Sequence, residues 1–160
     1  MMDPHETLDR LMPGDLQLLQ AREGYRYSVD AVLLARFARV KKGGRIADLG
    51  TGAGVLPLLL AHLTDAPVIY GIELQEGLAR RAERNVILNG LQDRIRVLQG
   101  DIRQIAVMLP AGAADLVVTN PPYRTPGSGR IAPVGERAGA RHELAGSVAD
   151  FVAAAGWLLQ

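Results

Sequence analysis

Apolar residues in this chain fall into short runs of strand length that alternate with longer runs of helical spacing. The pattern predicts buried strands over residues 45–49, 67–72, 95–98 and 115–119. Helical spacing lies between and after them, over residues 55–63, 74–88, 102–109 and 144–159. Strands and helices that alternate in this way form parallel sheets covered by helices. The sequence therefore predicts an α/β fold.

The segment ahead of the first of these strands has a weaker pattern. Residues 1–15 are polar, with two prolines and a glycine, and we expect a loosely held lead-in. Residues 16–20 could form a short strand. Residues 31–40 have helical apolar spacing, and Ser28 or Asp30 can cap that helix at its N-terminus.

A glycine-rich turn, DLGTGAG at residues 48–54, connects the strand at 45–49 to the helix at 55–63. It differs from the dinucleotide pattern G-x-G-x-x-G, and no Gly-Lys-Ser/Thr follows, which excludes a P-loop. Asp48 would repel a pyrophosphate but suits the ammonium group of an amino acid. The spacing resembles the first motif of class I S-adenosylmethionine-dependent methyltransferases. A glycine-rich turn without a ligand is the alternative.

Acidic residues stand at the carboxyl ends of the next two predicted strands. Glu73 lies about twenty residues after the glycine turn, where a carboxylate can accept hydrogen bonds from two ribose hydroxyls. Asp101 could accept a hydrogen bond from the exocyclic amine of an adenine. The alternatives are a solvated strand-end acid for Glu73 and a helix cap for Asp101, and for Asp101 the two roles are compatible.

Asn120-Pro121-Pro122-Tyr123 follows the strand at 115–119, and its two prolines force the chain out of the sheet. A planar amino group such as N6 of adenine is a poor nucleophile, because its lone pair is delocalised into the ring. The Asn120 side-chain oxygen and the Pro121 carbonyl could accept its two hydrogens in a geometry that the prolines fix beforehand. Tyr123 would stack on the target ring. An ordinary strand exit is the alternative.

Composition and charge exclude several classes of protein. The chain is 48% hydrophobic, yet it has no apolar stretch of membrane-spanning length and no signal peptide, so we expect a cytoplasmic protein with no membrane partner. It has no cysteine, and its three separated histidines give no zinc-ligand spacing, so no metal is expected. A formal net charge of +1 indicates nothing about nucleic acid, and that argument depends on local clusters.

Several segments together resemble the bacterial tRNA1(Val) (adenine(37)-N6)-methyltransferases, from about Leu16 onward. They are residues 24–31 (GYRYSVDA), 48–54, 71–75 (GIELQ), Arg84-Asn85 with Asn89, 120–123 and 141–143 (RHE). The resemblance implies a Rossmann-like class I methyltransferase sheet that transfers a methyl group from S-adenosylmethionine to N6 of an adenine in tRNA. It also implies that the segment at 27–30 packs over the cofactor. The catalytic residues would be Asn120, Pro121 and Tyr123.

With the residues singled out above, the predicted cofactor site comprises Tyr27, Ser28, Asp30, Asp48, Gly50, Thr51, Gly52, Gly54, Glu73, Leu74, Asp101, Ile102 and Asn120. Residues 124–141 would form a basic loop that suits RNA phosphates, and a solvated linker is the alternative. The predicted RNA contacts in it are Arg124, Arg130, Arg137 and Arg141.

The resemblance also has a departure. We divide the chain into a lead-in and cofactor-covering segment at 1–44 and a Rossmann-like core at 45–160. A complete class I methyltransferase normally adds about three strands after the helix at 144–159, so we expect a truncated sheet whose fourth strand is a long exposed apolar edge, open to pairing with a second copy. Methylation of a protein glutamine amide, of DNA adenine or of rRNA guanine, and an inactive cofactor-binding fragment, remain alternatives.

Overall fold

A parallel four-stranded sheet forms the centre of the computed structural model, which describes residues 4–11, 15–23, 26–121 and 146–160. The strands in chain order are β1 (Glu6–Leu11), β2 (Leu16–Ala21), β3 (Ile46–Leu49), β4 (Ile69–Glu73), β5 (Ile95–Gln99) and β6 (Leu116–Thr119). The parallel sheet has the spatial order β5-β4-β3-β6, and β1 and β2 form a separate antiparallel hairpin. The predicted α/β fold is confirmed.

Helices cover both faces of this sheet. They are α1 (Val29–Phe37), α2 (Val55–Leu63), α3 (Glu76–Leu88), α4 (Ile105–Met108) and α5 (Val148–Leu158), with a 3-10 turn at Ile102–Gln104 before α4. Because successive side chains of a strand point to opposite faces, Ile46 packs with α1 and α2, whereas Ala47 and Leu49 pack with α4 and α5. Both faces are buried, as is usual for parallel strands.

Residues 6–11 differ from the loosely held lead-in that the sequence predicts over residues 1–15. Glu6–Leu11 forms a strand that pairs along its whole length with β2. Its Glu6 is buried, and both Arg81 and Arg84 of α3 form ion pairs with its carboxylate at 2.9 and 2.8 Å. The lead-in prediction is therefore wrong for this stretch, because charges on a distant helix hold a strand whose own pattern is polar.

The predicted helices occur with small shifts at their ends. Ser28 is the N-cap of α1, and its hydroxyl accepts a hydrogen bond from the Asp30 N–H. α1 ends at Phe37 instead of Val40, and Arg39 donates to the carbonyls of residues 36–38 beyond it. α5 begins with a capping box in which Ser147 and Asp150 exchange hydrogen bonds.

β6 lies at one edge of the described part of the parallel sheet. It has four residues, of which Val118 is buried and the others are half-buried. β6 is therefore an edge strand of the described sheet, as predicted, although it is half-buried instead of exposed. Just ahead of β6, the Gly112 and Ala114 N–H groups donate to carbonyls at the end of α5, so this helix covers the approach to the strand. No helix in the described ranges is long and apolar enough to cross a membrane.

Candidate active site

The carboxyl ends of the four parallel strands meet at one edge of the sheet, where open α/β sheets bind ligands. In the strand register, Leu49 pairs with Ile72 on one side and with Thr119 on the other. Since neighbouring strands lie about 4.8 Å apart, the residues that follow Leu49 and Thr119 begin side by side. The edge therefore brings together the glycine turn, Glu73, Asp101 and the start of the Asn-Pro-Pro-Tyr segment.

The glycine turn has a fixed backbone path. Gly50, Gly52 and Gly54 have φ values of 74°, 59° and 83°, a left-handed conformation that residues with a Cβ adopt only at a cost. The Gly50 and Thr51 N–H groups both donate to the Ile72 carbonyl, at 2.8 and 3.0 Å. The turn is thus held against the end of β4 before any ligand binds.

Glu73 is buried, and its carboxylate supports the same turn. One oxygen accepts the Gly52 N–H at 2.8 Å and the other accepts the Gln75 N–H at 2.9 Å. Burial raises the pKa of Glu73, although hydrogen bonds from the Gln75 and Gly52 backbone oppose the rise. Each carboxylate oxygen can accept a second hydrogen bond, so Glu73 has capacity left for ribose hydroxyls. The ribose contact stays a prediction.

Asp48 is the most deeply buried acid of the site, with 2% of its surface exposed. Burial raises its pKa to about 7, and the nearby charge of Glu73 adds to the rise. The nearby Thr51 hydroxyl, whose oxygen is also buried, opposes the rise through a hydrogen bond. Gly71 allows this packing, because a Cβ there would lie 3.0 Å from the Thr51 hydroxyl oxygen.

Asp101 caps the 3-10 turn after β5. Its carboxylate accepts the Arg103 N–H at 2.9 Å and also pairs with the Arg103 guanidinium, which lowers the pKa of Asp101. The helix-cap alternative is confirmed, and the contact with adenine stays a prediction. Ile102, the next predicted residue, is buried between the 3-10 turn and α5, and Leu74 is half-buried after β4.

The predicted covering segment is tied to the N-terminal hairpin. The Arg26 guanidinium donates to the Ala21 carbonyl at 3.1 Å and pairs with Asp9, and the Tyr27 N–H donates to the Gln20 side chain at 3.0 Å. The half-buried Tyr27 ring packs on the core beside α1. Ser28 and Asp30 are exposed at the start of that helix, so the described residues show them as a cap.

Asn120 and Pro121 are half-buried at the exit of β6. The preceding Thr119 hydroxyl donates to the Leu49 carbonyl at 2.7 Å, which fixes the exit against the glycine turn. Residues 122–145 lie outside the described ranges, so Tyr123, Arg124, Arg130, Arg137 and Arg141 have no structural account. Within the described ranges, no group of three or more His, Cys, Asp or Glu could hold a metal ion.

Asn85 is a site-supporting residue that the sequence analysis assigned no role. It lies fully buried in α3, and its side chain hydrogen-bonds the Ala53 carbonyl in the glycine turn at 2.9 Å. The available signal was its position: an amide in the apolar phase of an amphipathic helix, three residues after Ala82 and one before Val86.

Comparisons with known proteins agree with this architecture. A family model described as "Methyltransferase small domain" matches residues 28–137. The tRNA1(Val) (adenine(37)-N6)-methyltransferase of Tolumonas auensis is 36% identical over 124 residues, which cover 77% of this chain and 50% of the relative. The protein of the same name from Erwinia tasmaniensis is 37% identical over 118 residues, covering 73% and 47%. This chain therefore spans about half the length of the curated relatives it matches.

A solved structure, M. jannaschii TYW2 in complex with AdoMet, superposes with a TM-score of 0.60 at 18% identity, covering 72% of this chain and 51% of that chain. A likeness at this identity shows the fold alone, and it confirms the predicted Rossmann-like sheet.

Proposed function

The chain belongs to the methyltransferase small domain family, and we propose that it transfers a methyl group from S-adenosylmethionine to the exocyclic N6 of an adenine in tRNA. The observation that carries the proposal is the register between β3 and β6, which pairs Leu49 with Thr119. It brings the start of the Asn-Pro-Pro-Tyr segment beside the glycine turn. The names of the relatives support adenine in tRNA as the substrate.

The described residues fit S-adenosylmethionine. The turn at 50–54 is a fixed backbone path beside two buried acids, Asp48 and Glu73, which match an ammonium group and a pair of ribose hydroxyls. When bound, S-adenosylmethionine supplies an electrophilic methyl group on a sulfonium sulfur.

The contribution of the chain is position and hydrogen bonding. The Asn120 side-chain oxygen and the Pro121 carbonyl would accept the two hydrogens of the adenine amino group and orient its lone pair toward the glycine turn. Because Pro121 has a fixed φ and Thr119 anchors the strand end, this arrangement requires little ordering during the reaction. No strong base is needed, since the nitrogen loses a proton readily once it is cationic. Tyr123 would stack on the target ring.

Radioactive methyl groups from S-adenosylmethionine test the proposal when the purified chain is offered total tRNA, protein and DNA separately. We expect label in tRNA, recovered as N6-methyladenosine after digestion. Label confined to protein would favour the glutamine alternative and contradict this one. No label in any substrate, together with retained cofactor binding, would favour a cofactor-binding fragment.

The Asn120→Ala variant gives the residue-level test. We expect methyl transfer to fall about 100-fold or more, because a group aligned with the reacting atom is lost. The matched control is Asn89→Ala, which removes the same amide from the residue that caps the end of α3. The Asn89 side chain hydrogen-bonds the Gln17 backbone and the Asn85 carbonyl, neither of which belongs to the predicted site. An Asn120→Ala chain as active as the control would contradict the assignment.

The finer partner predictions belong to the same proposal. Activity on tRNA would fit a cytoplasmic enzyme. Pairing of two copies through β6 stays a prediction, and sedimentation velocity of the purified chain measures it.

A further inference from the structure

We propose that Asn85 is a positioning residue for the cofactor site, because its side-chain amide joins the glycine turn to the N-terminal hairpin. The inference rests on the function proposed above, since it concerns the conformation in which the turn receives its ligand. Asn85 acts through the Ala53 carbonyl and is not itself expected to contact the cofactor.

The amide of Asn85 uses both of its donors and its acceptor. Its oxygen accepts the Leu19 N–H at 2.7 Å, and its nitrogen donates to the Leu19 carbonyl at 3.1 Å and to the Ala53 carbonyl at 2.9 Å. The side chain is fully buried. Three elements that are far apart in sequence therefore meet on one side chain: β2, α3 and the glycine turn.

The Ala53 carbonyl depends on this bond because helix α2 cannot supply another. The first ladder bond of that helix runs from the Leu58 N–H to the Gly54 carbonyl, at 3.2 Å. The Ala53 carbonyl lies one residue before Gly54, and its helical partner would be the N–H of residue 57. That residue is Pro57, which has no N–H. Ala53 is buried, and a buried carbonyl without a partner is unfavourable. Asn85 thus satisfies a carbonyl at the point where the turn becomes a helix.

Asn89, one helical turn further along α3, separates this role from simple docking of the hairpin. Its oxygen accepts the Gln17 N–H at 2.8 Å, and its nitrogen donates to the Gln17 carbonyl at 2.7 Å. This repeats the pairing of Asn85 with Leu19 two residues earlier on β2. The remaining bond of Asn89 goes to the Asn85 carbonyl within α3, and not to the turn. The two asparagines therefore differ in their link to the site.

Loss of the Asn85 amide would let the turn adopt backbone conformations that hydrate the Ala53 carbonyl. Glu73 would still accept the Gly52 N–H, so the turn would remain formed. It would, however, populate the conformation that binds the cofactor for only part of the time. When the competent conformation is populated to one tenth, the apparent affinity falls about tenfold. The expected signature is weaker cofactor binding beyond what the loss of stability alone causes.

The test compares three variants of the full chain by titration calorimetry with S-adenosylmethionine and by urea unfolding without ligand. In Asn85→Ala, we expect the Kd to rise about tenfold or more. Asn89→Ala is the matched amide control, and Val86→Ala is a control for lost stability from a buried neighbour on the same helix. Both should be destabilised while their Kd stays within about twofold of the wild-type value. An unchanged Kd in Asn85→Ala, or an equal rise in either control, would overturn the proposal.

If Asn85→Ala does not fold, Asn85→Ser carries the same comparison with a smaller loss of hydrogen bonds. Amide hydrogen exchange of the wild-type chain tests the link without any variant. The Gly54 and Leu19 amide hydrogens should exchange with the same free energy of opening. Different opening free energies for the two amides would refute the link. A wild-type chain that binds no S-adenosylmethionine, but shows the shared opening, would count against the proposed function and would still support the link between the hairpin and the turn.

Discussion

Substitution of Gly54 by alanine measures how closely α3 packs on the glycine turn. Gly54 has a φ of 83°, and a Cβ at this position would lie 3.2 Å from the Ala82 Cβ and 3.4 Å from the Ala82 Cα. A left-handed conformation costs an L-residue about 1–2 kcal/mol. Forcing a methyl group into a packed contact costs about 1–3 kcal/mol. We therefore expect Gly54→Ala to lower the free energy of unfolding by about 2–5 kcal/mol.

Gly90 provides the matched control for the backbone contribution. Its φ of 66° is also left-handed, but a Cβ there would meet nothing within 4 Å. Gly90→Ala should therefore lose only about 1–2 kcal/mol. Urea unfolding with linear extrapolation gives both values. The difference between the two variants isolates the contact with Ala82.

A double-mutant cycle then identifies the contact itself. Ala82→Gly removes the opposing methyl group, and in the wild-type background it should cost about 1 kcal/mol, because glycine is unfavourable inside a helix. In the Gly54→Ala background the same change should cost less, or should stabilise the chain, since it relieves the close approach. Equal losses in Gly54→Ala and Gly90→Ala, or no coupling with Ala82→Gly, would refute the close packing of turn and helix.

Two further predictions concern buried acids. Burial raises the pKa of Asp48 to about 7 from an ordinary value of 3.8, so the folded chain keeps this proton at a pH where the unfolded chain has lost it. Wild-type stability should therefore fall relative to Asp48→Asn as the pH rises from about 4 to about 7, by at most about 4 kcal/mol. Parallel urea profiles of the two proteins over that range would contradict this. Burial alone would raise the pKa of Glu6, but hydrogen bonds from Arg81 and Arg84 outweigh it and lower the pKa, so its stabilising contribution is complete above about pH 4.5 and is lost as the pH falls through the folded pKa. Glu6→Gln should lower the free energy of unfolding by about 3 kcal/mol at neutral pH in urea unfolding. The control Glu76→Gln, in the exposed pair with Arg80, should lower it by under about 0.5 kcal/mol. Similar losses in the two variants would show that the Glu6 pair is no stronger than a surface pair.

The parallel sheet was predictable because its signals are local. Helix α2 begins and ends at the predicted residues, Val55 and Leu63, since its run is apolar except for His62 and follows directly on the glycine turn. The acids at the strand ends were predictable for the same reason, because chain order alone brings the ends of parallel strands to one edge. Helix ends moved by a few residues where a cap, such as Ser147 at the start of α5, decided the boundary.

The N-terminal hairpin and the role of Asn85 were not predictable, because their partners are distant. β1 reads as a polar segment, and its only buried acid is neutralised by arginines 75 and 78 residues away. The partners of Asn85 lie 66 and 32 residues away. Contacts between residues this far apart produce no periodic pattern of hydrophobic residues, so the sequence alone does not predict them.

The outer side of β2 has a consequence for the behaviour of the chain at high concentration. Its three outward backbone carbonyls, on Gln17, Leu19 and Ala21, accept hydrogen bonds from the side chains of Asn89, Asn85 and Arg26. A lone hairpin with vacant carbonyls would be a template for intermolecular β-pairing and aggregation. Here amide and guanidinium groups act as a substitute third strand, so the outer edge of β2 is protected from intermolecular pairing by the same side chains that dock the hairpin.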